Sequence, residues 1–501
     1  MNSLPLHDLM ARLGELLSYD ASSPLIFSSG LFLFLFAGFL LVYGALRRAA
    51  TARILYVILF SLYFYYKSSG IYFLLLIFAA TSDYWIARAL HRTRRPALRR
   101  LWVALSVAVN LGMLGYFKYT NFLIDISNQL FGEGFLQFRN IFLPVGISFF
   151  VFQSMSYTID IYRRQIEPLR RWADYLFYLS FFPQLVAGPI VRARDFIPQI
   201  RRNPVTVTRE MFGTAVFLIL TGLFKKAVIS DYISLNFVDR IFDEPLLYSG
   251  VECLTGIYGY ALQIYCDFSG YSDMAIGIAL MLGFRFPKNF DAPYKSATIT
   301  EFWRRWHISL SSWLRDYLYI SLGGNRRGRV RTYANLLLTM LLGGLWHGAA
   351  VRFVLWGALH GTALALHKMW MAVVPGAKAD GAQMRPWSRA AGIIVTFHLV
   401  CFGWLMFRAE SMRGVELMLH QIFFNFNAAL APQLAAGYTG VVILIAIGYA
   451  LHFVPARADA AAQRLVVRSP LAVQVLLAAA MIWLVMQVKS SDIQPFIYFQ
   501  F

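Results

Sequence analysis

The chain has 501 residues, of which 58% are hydrophobic, 16% aromatic and only 14% charged, with a mean hydropathy of +0.55. Water-soluble domains carry nearer a quarter charged residues, so a soluble globular protein is excluded, and the lack of any Gly or Pro period excludes a collagen-like or disordered chain. The formal charge of +20 lies in short basic runs between apolar stretches, which fits the positive-inside rule; no recognition motif for nucleic acid accompanies it, so no nucleic-acid partner is expected.

The N-terminal residues 1–23 place Leu9, Leu13, Leu16 and Leu17 at roughly helical spacing in a stretch too polar to span. This predicts an amphipathic extension lying in the membrane interface against lipid. The first long apolar run is bounded by Arg47 and Arg48 in place of a small-residue cleavage site, so no cleavable signal peptide is expected. Apolar runs near 24–46, 54–67, 70–90, 101–120 and 141–161 are each about long enough to cross a core of roughly 30 Å. Basic clusters follow the first, third and fifth of them, which predicts cytoplasmic loops there and an outer N-terminus.

The run 172–190 breaks this alternation, because Arg170 and Arg171 precede it and Arg192 and Arg194 follow it. Both flanks are then cytoplasmic, so the run enters and returns, with Pro183 and Gly188-Pro189 supplying the breaks of a re-entrant hairpin. Further spans are expected near 211–235, 250–283, 333–350, 353–370, 390–407, 437–453 and 471–488, with a second re-entrant or interfacial segment at 302–320 between basic flanks. The total is about eleven or twelve transmembrane helices. No internal repeat is present.

Ionisable residues inside apolar segments are costly and are therefore candidate functional groups. His347 lies in Gly343-Gly344-Leu345-Trp346-His347-Gly348-Ala349, where small residues allow close approach of a helix or a substrate. A neutral imidazole there could take a proton from a hydroxyl, or could hydrogen-bond between helices. His307 lies in Phe302-Trp303-Arg304-Arg305-Trp306-His307-Ile308-Ser309; this segment reads either as a Trp and Arg belt at the membrane surface or, with Arg315, Arg326 and Arg327, as a basic mouth for a phosphate-bearing donor. Asp267 and Asp273 flank Phe268-Ser269-Gly270-Tyr271-Ser272; they could orient a histidine, bind a hydroxyl-rich substrate, or pair with arginines of the next loop. His360 and His367 share a helix face and read as structural, and Lys225 and Lys226 decide nothing. Cys253, Cys266 and Cys401 offer neither a disulfide framework nor a metal pair, so neither a metal nor a bound cofactor is expected. Gly-x-Ser-x-Gly, HExxH and Walker motifs are missing, which removes the commonest hydrolase, metalloprotease and NTPase routes.

Asp267 to Gly277, Phe302 to Ser309 continuing through Trp313 to Tyr319 and Gly323-Gly324-Asn325-Arg326, Leu345 to Ala349, Pro183 to Ile190 and the terminal Pro495 to Phe501 together resemble the membrane-bound O-acyltransferases. The likeness runs from about residue 24 to the end and is nearest to the alginate O-acetyltransferase branch, more distantly to teichoic acid D-alanyl transfer. It implies an all-α, polytopic membrane domain over 24–501, shaped as a helical cup around a central tunnel. It also implies His347 as the essential membrane-embedded histidine and His307 as a second, cytoplasmic-side one. Trp303, Arg304, Arg305, Trp306, Arg315, Asn325, Trp346, Asp267, Ser269 and Asp273 are the expected substrate-binding positions. After Ala349 the chain departs from the branch with Ala350, Val351 and Arg352.

The implied activity is transfer of an acetyl group from cytoplasmic acetyl-CoA towards the periplasm of a bacterial inner membrane, for O-acetylation of an exported polysaccharide. A periplasmic Ser-His-Asp hydrolase-like acetyltransferase is the implied partner. The alternatives are short-acyl or D-alanyl transfer from a carrier-protein thioester and, in another class, a transporter or flippase for a lipid-linked sugar.

Overall fold

The computed structural model describes residues 12, 14–21, 23–186, 188–377 and 381–488. Those residues form helices and connecting turns, with no strand among them. Most of the expected interfacial extension, with Leu9 and Leu13, lies outside the described residues, as do Ala187 and the Pro495–Phe501 segment; Leu16 and Leu17 sit on an exposed helical stretch.

Among the described residues, five helical runs are long and apolar enough to cross a membrane: Ala50–Arg92, Pro96–Phe131, Arg209–Asp243, Pro386–Arg408 and Leu471–Val488. The pair Ala428–Gly437 and Thr439–His452, bent by 99°, makes a sixth if taken as one span. Three more long helices, Gly250–Met281, Arg329–His347 and Val351–Val373, have the length but carry charged residues such as Asp267, Arg331 and Lys368. Polar groups in a bilayer are tolerated where protein surrounds them, so hydropathy understates helices whose polar side chains find partners inside. The runs expected at 54–67 and 70–90 are the helices Ala50–Ser69 and Phe73–Arg92, joined by the turn Gly70–Tyr72.

The chain forms two compact units, one of Met1–Val207 with Met281–Phe286 and the other of Thr208–Leu280 with Pro287–Phe501. In the first, Phe182 packs among the rings of Phe27, Phe36, Phe39, Phe60 and Phe64 at 5.0–6.5 Å between centroids. Asp83 is fully buried and accepts from Ser106 Oγ and Asn110 Nδ2, each at 2.6 Å, and from Ser154 Oγ, so one carboxylate ties three helices. Over 172–190, the helix Trp172–Ser180 has nine residues and is about 14 Å long, too short to span. Phe181 breaks it, a single turn Phe182–Leu185 follows with Pro183 in its first turn, and every described residue from Asp174 to Ile190 is buried.

The second unit holds the histidines. Its long helix Gly250–Met281 crosses the Arg209–Leu223 helix at Gly222 and Gly270. A side chain on either would strike the backbone of the other, Gly222 meeting the Gly270 carbonyl at 2.5 Å and Gly270 meeting that of Gly222 at 2.7 Å. This close approach carries the next residues, Lys225 and Lys226, onto the acidic face of the long helix. The helices Arg329–His347 and Val351–Val373 form a hairpin with the same device: a methyl on Gly344 would overlap the Phe353 carbonyl, and one on Gly357 would overlap that of Met340.

Candidate functional site

His347 is the last residue of its helix, 4% exposed, at the tip of this glycine-packed hairpin. Its ring lies edge-to-face with Trp356 at 5.1 Å and with Phe407 at 5.4 Å, and 5.0 Å from the indole of Trp346. Trp356 in turn packs on Trp404, at 6.2 Å. Arg352, where the chain departs from the branch pattern, donates to the Phe407 main-chain carbonyl at 2.6 Å and so pins one wall of the imidazole's enclosure.

His307 is fully buried and stands between the short helices Ile299–Arg305 and Ile308–Trp313. Thr298 starts the first of these by accepting from the Glu301 amide at 3.1 Å, and Glu301 returns a carboxylate oxygen to the Ala297 amide at 3.0 Å. His307 itself adopts φ 42°, a left-handed conformation that costs a non-glycine residue on the order of 1–3 kcal/mol. Backbone bonds on both sides hold it there: the Asp291 amide donates to the Arg305 carbonyl at 2.9 Å, and the Ile308 amide to the Asn289 carbonyl at 2.8 Å. The ring packs edge-on against Phe268 at 4.5 Å, and its Nδ1 lies 3.2 Å from Asn289 Oδ1. It also lies 6.4 Å from Trp346, so the structure brings the two histidines singled out in the sequence to the same indole.

The aromatic positions expected to bind substrate line this region. Trp306 is 2% exposed and packs on Trp404 at 4.8 Å, while Trp303 meets Trp356 at 5.7 Å and His360 at 5.2 Å. His360 is fully buried, and neither ring nitrogen has a hydrogen-bond partner among the described residues; the same holds for the indole nitrogens of Trp303 and Trp356. His367 and His398 do have polar partners, Thr300 at 2.8 Å and Tyr258 at 2.9 Å.

Both carboxylates of the Asp267 to Asp273 motif have lysine partners. Asp267 pairs with Lys226, whose ammonium also lies 2.8 Å from Asp231, and Asp273 pairs with Lys225 at 2.7 Å. Of the three fates open from sequence, ion pairing is the one observed, but the cations come from the preceding π-helical turn Phe224–Ser230 and not from the following arginine loop. Ser269 between them is 1% exposed. The expected basic mouth is mixed: Arg304, Arg326 and Arg327 are exposed, Arg305 is bound to Glu301 at 2.8 Å and Asp291 at 3.6 Å, and Arg315 is bound to Asp316 at 2.7 Å. Asn325 is exposed and bonded to Tyr319 and to Lys368. Around the loop, burial pushes the Asp291 carboxyl up, but the hydrogen bond and charge of Lys288, with Arg305, outweigh it and leave the group below its ordinary range.

Sequence reading missed Asn289, Trp356, Trp404 and Phe407. The aromatic three sit at ordinary helix positions with no motif of their own, and Asn289 lies in a loop 18 residues before the histidine it touches. Among the described residues no group of three or more His, Cys, Asp or Glu side chains is arranged to hold a metal ion.

A profile of the MBOAT, membrane-bound O-acyltransferase family matches residues 170–408. The chain is 41% identical to the probable alginate O-acetylase of Pseudomonas aeruginosa, over 84% of this chain and 79% of that one. It is 36% identical to the peptidoglycan O-acetyltransferase of Helicobacter pylori, over 79% of each. With the teichoic acid D-alanyltransferase of Bacillus subtilis it shares 29% identity over 54% of this chain and 70% of the relative.

Proposed function

Since this chain belongs to the membrane-bound O-acyltransferase family and is a multi-pass membrane acyltransferase, we propose that it takes an acetyl group from cytoplasmic acetyl-CoA and passes it towards the periplasm of a bacterial inner membrane, for O-acetylation of an exported polysaccharide. The relatives named for alginate and peptidoglycan O-acetylation support a polymeric acceptor with hydroxyl groups. The observation that carries the reading is the enclosure of His347 and His307 around one indole, in a part of the protein where aromatic rings exclude water.

In this reading His347 is the general base. An acceptor hydroxyl gives its proton to the imidazole as its oxygen attacks the thioester carbonyl; the C–S bond then breaks, the thiolate leaves as CoA, and the imidazolium returns the proton to it. The products are an acetyl ester and free CoA thiol. The exposed arginines Arg304, Arg326 and Arg327 are suited to the donor's phosphates, with Trp303 and Trp306 as apolar walls. Delivery to the polymer by a periplasmic Ser-His-Asp hydrolase-like acetyltransferase rests on the family resemblance alone.

The test is thiol release from labelled acetyl-CoA by the purified full chain with an acceptor present. His347→Ala, well folded by gel filtration, should lower the rate by at least about 100-fold. A fully active His347→Ala protein refutes the assignment. Turnover of a carrier-protein thioester but not of acetyl-CoA would move the donor to the D-alanyl type, and movement of a lipid-linked sugar without ester formation would move the protein to the transporter class.

A further inference from the structure

We propose that Asn289 is a positioning residue that fixes the tautomer of His307, holding the proton on Nδ1 and so placing the basic lone pair on Nε2. The inference deepens the proposed function, because it rests on His307 taking part in the acyl transfer site.

The end of the Asn289 amide that faces the histidine decides the tautomer. Its Oδ1 lies 3.2 Å from the Ser309 main-chain nitrogen and 2.9 Å from Ser309 Oγ. A main-chain N–H can only donate, so the group facing it must be the carbonyl oxygen. Turning the amide over would set an NH2 group against that N–H, two donors face to face. The Nδ2 end is then left to donate to Ser272 Oγ on the long helix, at 3.1 Å. With the orientation settled by Ser309, the same Oδ1 lies 3.2 Å from His307 Nδ1. The Ser309 hydroxyl also lies 3.4 Å from Nδ1, but its one hydrogen goes to Asn289 Oδ1 at 2.9 Å, so neither neighbouring oxygen donates to the ring; oxygens that accept cannot be matched by a bare ring nitrogen, and Nδ1 carries the hydrogen. In a neutral imidazole the second nitrogen is then an acceptor, and the hydrogen bond of one nitrogen assigns the role of the other.

The backbone reinforces this. The Asn289 carbonyl accepts from the Ile308 amide at 2.8 Å, directly after the left-handed His307, so a single residue holds both the main chain and the ring of the histidine. Tied to Ser272 at its other end, Asn289 couples the His307 turn to the Gly250–Met281 helix. In this tautomer neutral His307 accepts a proton or a hydrogen bond at Nε2 and cannot donate from that atom to a developing oxyanion. Its part in acyl transfer is therefore that of a base or hydrogen-bond acceptor towards a hydroxyl, with stabilisation of the carbonyl oxygen left to other groups.

The experiment uses the full chain in lipid, with Asn289→Leu, Asn289→Asp, His307→Ala and His347→Ala compared in the acetyl-CoA thiol-release assay. Asn289→Leu removes the acceptor, and kcat should fall on the order of 100-fold with KM for acetyl-CoA within about twofold. Asn289→Asp keeps an acceptor for Ser309 and His307 and should recover kcat to within about tenfold of the parent. An Asn289→Leu protein with unchanged kcat, or an Asn289→Asp protein no better than Asn289→Leu, overturns the proposal. Should Asn289→Leu fail to fold, solid-state NMR of ring-15N histidine in the parent, with the His307 signal identified by its loss in His307→Ala, reads the tautomer directly. An Nδ1–H signal that is perturbed in Asn289→Asp supports the proposal, and an Nε2–H signal overturns it. If His347→Ala and His307→Ala both stay active while the Nδ1–H signal is found, it is the proposed function that fails and the tautomer assignment that stands.

Discussion

Removing the ammonium of Lys226 should destabilise the protein more than removing the carboxylate it binds. Lys226 is 2% exposed and is shared by Asp267, 4% exposed, and Asp231, 22% exposed. Lys226→Met leaves Asp267 as a buried charge without its lysine, and loss of one member of a buried pair costs roughly 3–5 kcal/mol. At about 1.4 kcal/mol per factor of ten, the ratio of folded to unfolded protein falls by roughly two to three and a half orders of magnitude. Asp267→Asn leaves Lys226 bound to Asp231 and keeps an oxygen that can accept from it, so the loss is that of one charged hydrogen bond, about 1–3 kcal/mol. The double variant has no lone buried carboxylate at position 267 and should be more stable than Lys226→Met alone. The assay is the thermal midpoint of the solubilised chain, read by the monodisperse fraction in gel filtration. Equal losses for the two single variants, or a double variant whose loss is their sum, would refute the reasoning and reopen Asp267 as a substrate ligand.

Gly357→Ala places a methyl against the Met340 carbonyl and 3.0 Å from the Leu341 Cα, so the hairpin must part; a loss of about 1–3 kcal/mol is expected in the same thermal assay, with Gly376→Ala, whose added methyl meets nothing within 4 Å but sits at φ 79°, as a comparison limited to backbone strain. Asp291 has its folded carboxyl held below the ordinary range by Lys288 and Arg305, so its contribution is present above the unfolded value and is lost as pH falls through the folded one. Being half exposed, it is screened, and Asp291→Asn should cost under about 1 kcal/mol near neutral pH and nothing at strongly acidic pH, measured as the difference in thermal midpoint across that range. A constant difference at all pH values would show that the ion pairs contribute nothing there.

Much of the helical architecture was legible because long apolar runs have few ways to satisfy their backbone in lipid other than by helices. The breaks were less so. Pro183 announces itself, whereas the π-helical turns Phe224–Ser230 and Ser234–Val238 have no composition that marks them, and the first is what aims Lys225 and Lys226 at Asp273 and Asp267. Proximity in sequence favoured the arginines after Asp273 as its partners, but the glycine crossing at Gly222 and Gly270 supplied cations from more than 40 residues upstream. His347 stood out through the glycines around it; of these Gly344 proved to be a contact between helix backbones, while Gly343 and Gly348 face the side chains of Leu314 and Phe353. Asn289 left no trace, since one amide in a polar loop resembles any other until the turn at His307 folds over it.

The hairpin that ends in His347 brings carbonyl oxygens of one helix to where side chains of the other would begin. Helices usually shear past one another on a layer of side chains that can change rotamer, and here that lubricating layer is missing. Its imidazole is thus anchored like a post in masonry: in the acyl transfer proposed above, the thioester and the hydroxyl would have to travel to a base that stays where it is.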